Sequence, residues 1–178
     1  MVSLTVIFWM FVILFAIIGA MRGWAKELMV SFSVILAMFI IVLMETYAPP
    51  FQPAAGLGAS TRFWVRFTIV LLAVFFGYQT PNIRALAGAR FARERLQDVL
   101  LGFILGGING YLVVGTIWFY MHEAGYPFQD YFMAPDRGTD LGQAALELLE
   151  HMPPTFLDPP LIYFAVAIAF LFVVVVFI

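Results

Sequence analysis

Apolar residues in this chain fall in long unbroken runs, at 2–21, 28–44, 62–79, 99–120 and 161–178. A helix needs about 20 apolar residues to cross a hydrocarbon core about 30 Å thick. The first two runs are separated only by Arg22-Gly23-Trp24-Ala25-Lys26-Glu27. One straight helix through both would be about 66 Å long, twice a bilayer. The chain therefore turns near Gly23, a residue type suited to ending a helix. Glu27 then opens the second helix, where a carboxylate meets the positive end of the helix dipole. Pro49, Pro50, Pro53, Gly56 and Gly58 make 46–61 a loop. Ser60 or Thr61 is placed to cap the third helix, which stops before Pro81. In 82–98, Ile83, Leu86, Phe91 and Leu96 scatter around a helical wheel, so no amphipathic surface helix is expected there.

Between the fourth and fifth runs the pattern changes. Leu141, Ala144, Ala145, Leu148, Leu149 and Met152 recur at amphipathic-helix spacing, which predicts a helix over 140–152. Thr139 or Asp140 would cap it and Pro153-Pro154 would end it. Asp158-Pro159 is a start signal for the last run, whose 18 residues give about 27 Å and make it a marginal span. The expected fold is all-α: a polytopic transmembrane helical bundle of four to five spans. It divides into a four-span domain (1–120), an outer segment (121–160) and a C-terminal apolar helix (161–178).

Composition supports lipid as the solvent. The chain is 63% hydrophobic and 11% charged, against about 25% charged in soluble domains. The net charge of −2 leaves no basic excess for nucleic acid. Cysteine is absent, which removes disulfides, zinc thiolates and iron–sulfur ligation. The few charges set an orientation. Arg22, Lys26, Arg84, Arg90, Arg93 and Arg95 are six of the nine Lys/Arg, and they fall in 22–27 and 81–98. By the positive-inside rule those two loops are cytoplasmic, and the N-terminus, 45–61 and 121–160 face outward. With five spans the C-terminus would be cytoplasmic. Segment 121–160 holds seven of the eleven acids and one Arg. No Lys or Arg precedes the first run and two follow it, the reverse of a secretory signal, so it is read as a retained span.

Candidate residues are few. Gly102, Gly106 and Gly110 share one face of the fourth helix, and small residues let helices approach closely in lipid. That face makes a helix–helix contact, within the monomer or with a second copy or partner. Asn109, mid-span, needs an interhelical hydrogen bond, or else contacts a substrate or ion. Arg62 and Arg66 open the third span; they snorkel to the interface or hold an anionic head group. Apart from Arg66, the span cores contain no ionisable side chain, which argues against proton coupling. HExxH, GxSxG and Walker motifs are absent, so no catalytic residue, metal ligand or cofactor site is assigned. Tyr120, Tyr126, Phe128, Tyr131 and Phe132 are interface anchors or, with Leu141, Leu148 and Leu149, a surface for docking a partner.

The junction Arg22-Gly23-Trp24-Ala25-Lys26-Glu27 and the series Asp98, Gly102, Gly106, Gly110 carry a family likeness. Together with an outward N-terminus, they resemble the colicin V production protein family of bacterial inner membranes over about residues 1–120. Val99 and Asn109 stand where that family tends to have Arg, and its members usually have four spans. The resemblance implies an accessory protein for peptide-toxin production or export and envelope physiology, without catalysis. Its expected partners are the lipid bilayer and another membrane protein or a second copy. Two other readings stay open: an accessory subunit of a respiratory or photosynthetic complex, and a transporter or channel component.

Overall fold

The computed structural model describes residues 3–52, 56–79, 92–128 and 132–177. These form α1 (Leu4–Arg22), α2 (Trp24–Tyr47), α3 (Ala59–Tyr78), α4 (Ala92–Glu123), α5 (Asp140–Leu149), α6 (Pro153–Phe156) and α7 (Leu161–Phe177), with a 3₁₀ turn at Pro49–Phe51. No strand occurs among the described residues. Four helices, α1 to α4, are long and apolar enough to cross a membrane, and α7 is a shorter apolar helix.

Helix ends follow hydrogen bonding rather than hydropathy, so several boundaries move from those expected. α2 extends past both ends of its apolar run because Glu27 and Glu45 find partners on neighbouring helices. α3 starts at Ala59 from Gly58, so Ser60 and Thr61 lie in its first turn and neither caps it. α4 starts at Ala92 and absorbs Asp98. Its 32 residues rise about 48 Å, beyond any hydrocarbon core. Residues 80–91, including Arg84 and Arg90, lie outside the described residues. Thr139 caps α5, accepting from the Gly142 N–H at 3.1 Å, and the helix ends at Leu149.

Gly23 alone separates α1 from α2, and it does so at φ 89°. That backbone is costly for any residue with a Cβ. Here a Cβ would also fall 2.7 Å from the Asp98 carboxylate oxygens. We call this the junction end of the bundle and the opposite end the cap end.

α1 and α4 run antiparallel in close contact. A Cβ on Gly19 would overlap the Gly102 carbonyl, and one on Gly106 would overlap the Phe15 carbonyl and lie 2.9 Å from Gly19 Cα. Gly110 meets Phe15 and Val12 in the same way. α2 fills the centre of the bundle, with Val30, Val34, Ala37, Met38 and Ile41 buried. α7 packs on α2 with Tyr163 against Phe39 and Phe172 against Phe32, so it runs antiparallel to α2, towards the junction end. At the cap end, Met152 and Pro153 seat on Gly115 of α4, and the Tyr111 hydroxyl donates to the His151 carbonyl.

Candidate functional site

Arg22 ends α1, and its position follows from the tight Gly23 turn. From there it reaches two other helices. Its guanidinium pairs with Glu27 Oε1 at 2.7 Å, donates to the Tyr78 carbonyl at 3.1 Å, and stacks over the Tyr78 ring at 4.2 Å. Tyr78 is the last residue of α3, so one cation sits at the negative ends of two helix dipoles and beside the start of a third. The Glu27 side chain is fully buried. Its Oε2 accepts from Asn109 Nδ2 at 2.8 Å, and the same amide donates to the Glu27 carbonyl at 2.8 Å. Asn109 Oδ1 in turn accepts from Ser31 Oγ at 2.6 Å. Every strong acceptor in this cluster is paired, as a charge in a low-dielectric site requires. Alongside it, Asp98 Oδ1 accepts from the Trp24 N–H at 3.0 Å. A carboxylate on α4 thus serves the open N-terminus of α2.

Glu27 is thus a buried ionisable group in the first turn of a helix long enough to span, in addition to Arg66. Glu27 is as deep as any apolar residue of the core. Its partner Asn109 is 82 positions away along the chain.

At the cap end a second cluster forms on α2, α3 and α4, three of the four helices that meet in the first. Arg66 of α3 pairs with Glu45 of α2 at 2.6 Å and with Glu123 of α4 at 2.5 Å. Its guanidinium lies over the Tyr120 ring at 4.6 Å. Arg66 does not snorkel to open water: its side chain is 11% exposed because two carboxylates draw it inward. These groups rim a cleft of about 290 Å³ that also takes in Asp158 and Thr155 and ends on Met38 and Leu157. Arg62, one turn earlier, has its Nε buried without a partner.

A separate apolar cavity of about 210 Å³ opens between α1, α3 and α4, lined mainly by Phe8, Phe11, Phe63, Phe67, Trp118 and Phe128. Phe128 also meets Trp64 edge-on at 5.3 Å.

The residues expected to dock a partner divide. Tyr126 and Leu149 are buried and belong to the chain's own core, so they form no docking surface. The Tyr126 hydroxyl accepts from Trp118 Nε1 at 3.3 Å. Burial pushes the Tyr126 phenol above its ordinary pKa, and the Trp118 hydrogen bond opposes that. Leu148 is half-buried against the core and Leu141 is exposed. Tyr131 lies outside the described residues. Lys26 makes no hydrogen bond or ion pair among the described residues, and Gly102, Gly106 and Gly110 face α1. Among those residues no three His, Asp or Glu side chains converge to hold a metal ion.

Glu27 was singled out with Arg22 at the first junction, but its burial against Asn109 was not foreseen, and Glu45 and Glu123 were missed because each looks like a charge at the end of an apolar run. The available signal was the pairing of sign and depth: an Arg at the start of one span and an acid at the end of another.

Comparison with known proteins places this architecture. The sequence model of the colicin V production protein family matches residues 4–134, which take in all four spanning helices. Searches of curated proteins and of solved structures find no match. With four helices able to cross a membrane and a match over most of its length, this multi-pass membrane chain belongs to the colicin V production protein family.

Proposed function

We propose that the protein is an accessory or scaffold protein of the bacterial inner membrane, supporting toxin production or envelope upkeep by associating with another membrane protein or a second copy. The observation that carries this reading is the cap end. α5 and α6 are held on the bundle by buried Met152, Pro153 and Leu149, while Asp136, Asp140, Leu141, Glu147 and Glu150 stay exposed. A fixed acidic face with one exposed Leu fits a protein partner better than an anionic lipid surface.

In this reading the junction end faces the cytoplasm, with Arg22 and Lys26, and the cap faces outward. The protein works by helix packing and performs no reaction of its own. The test is affinity purification from native membranes in mild detergent, comparing the wild type with Glu147→Lys/Glu150→Lys. A stoichiometric partner or second copy that the wild type retains and the variant loses supports the proposal. Retention by both, or a lone protein from both, counts against it.

A further inference from the structure

Among the described residues, four polar side chains are buried: Glu27, Ser31, Asn109 and Thr116. All four lie where α2 meets α4. Thr116 Oγ1 faces Met38 Sδ at 3.6 Å, and the other three form the junction-end cluster. Two apolar helices in lipid can pack without such groups, and each costs free energy unless it is paired. The placement along the seam is ordered. From the cap end, the cleft rimmed by Glu45, Arg66 and Glu123 descends to Met38, beside Thr116. From the junction end, Arg22, Glu27 and Ser31 climb to Asn109. Asn109 and Thr116 are seven residues apart on one helix, about 10 Å. That gap is filled by Val34, Leu112 and Val113, clustered with Met38 and Ile162.

We propose that the α2/α4 seam is a gated proton conduit, closed in this structure by the Val34–Leu112–Val113 plug. Apolar constrictions gate water-filled paths by dewetting. The plug is short enough for a single file of water to bridge when the helices part. Dehydrated metal cations would find no set of oxygen ligands there.

A proton enters from water in the cap-end cleft, where the carboxylates of Glu45, Glu123 and Asp158 outnumber the Arg66 guanidinium. It passes Thr116 and the hydrated plug and bonds to the Glu27 carboxylate, which becomes neutral. The proton then leaves to water at the junction end, and the Arg22–Glu27 pair re-forms. One proton enters and one leaves, driven by the transmembrane gradient alone. No other reactant is consumed.

The test uses the full chain, purified and reconstituted in liposomes with an entrapped pH dye and a potassium ionophore for charge balance. Val34→Ser/Leu112→Ser hydrates the plug, and its proton flux should exceed that of empty vesicles about tenfold. Adding Glu27→Gln, which keeps a hydrogen-bonding side chain at that position, should return the flux to the empty-vesicle rate. Size-exclusion elution of each variant with the wild type establishes folding. Where the double variant fails to fold, Val34→Ser alone carries the same comparison. A folded plug variant that leaks no faster than empty vesicles overturns the proposal. So does an unchanged flux after Glu27→Gln, or an equal sodium flux, which would mark an unselective pore.

Discussion

α4 offers two faces to two neighbours, and they are built on opposite principles. Its Gly102–Gly106–Gly110 face meets α1 backbone to backbone, with no side chain between Gly106 and Gly19. Its Asn109–Thr116 face meets α2 through buried, paired polar side chains at either end of the apolar Leu112–Val113 step. The first seam holds by dispersion at close range, which falls off steeply with a small gap. The second holds by hydrogen bonds and charge, which tolerate a gap if water fills it. One helix therefore carries a seam of backbone contact and a seam of buried polar groups, and only the second is proposed to open.

Gly106→Leu tests this difference most severely. Four carbons would have to enter where one already overlaps the Phe15 carbonyl. Overpacking a core typically costs about 1–3 kcal/mol, and this contact is with backbone, so the expected loss is beyond about 3 kcal/mol. Native electrophoresis in mild detergent should show no wild-type band. Glu27→Ala comes next. It leaves Arg22 half-buried without its anion and removes one of the two acceptors of the Asn109 amide, an expected cost of about 3–5 kcal/mol. Replacing both charges together, Glu27→Leu with Arg22→Met, should recover most of that loss in reversible unfolding from mixed micelles. A double variant no better than Glu27→Ala would show that the pair is not what binds the second seam.

Much of the fold was legible because membrane spans are written in one dimension. A run of apolar residues long enough to cross lipid needs no knowledge of its neighbours, and Gly23 between two such runs leaves only a hairpin. The site was harder to read for the opposite reason. Glu27 and Asn109 acquire meaning only as a pair, and nothing local joins residues 82 positions apart. Arg66 had an obvious local reading, an exit to water along its own stem. The carboxylates that hold it inward sit 21 and 57 positions away, in stretches that read as loop and helix end. The 140–152 stripe shows the same limit. Its apolar spacing said that one side would be covered, but not that Leu149 would go under and Leu141 stay out.

The two smallest effects probe the second seam without destroying it. Asn109→Ala removes a donor from Glu27 and an acceptor from Ser31 while Arg22 still holds the carboxylate. Interhelical hydrogen bonds in membranes average below 1 kcal/mol, so a loss of about 1 kcal/mol is expected, with the fold intact. Thr116→Val keeps the shape of the side chain and removes a single hydroxyl whose partner is a thioether sulfur, a weak acceptor. Its expected effect on unfolding is within about 0.5 kcal/mol. If the polar groups served stability alone, Thr116 would be a residue the protein could exchange for Val without consequence. In the plug-opened Val34→Ser/Leu112→Ser background the seam predicts otherwise: Thr116→Val should slow proton flux while leaving the unfolding midpoint where it was. A flux and a midpoint that move together, or neither moving, would reduce the second seam to packing of the same kind as the first.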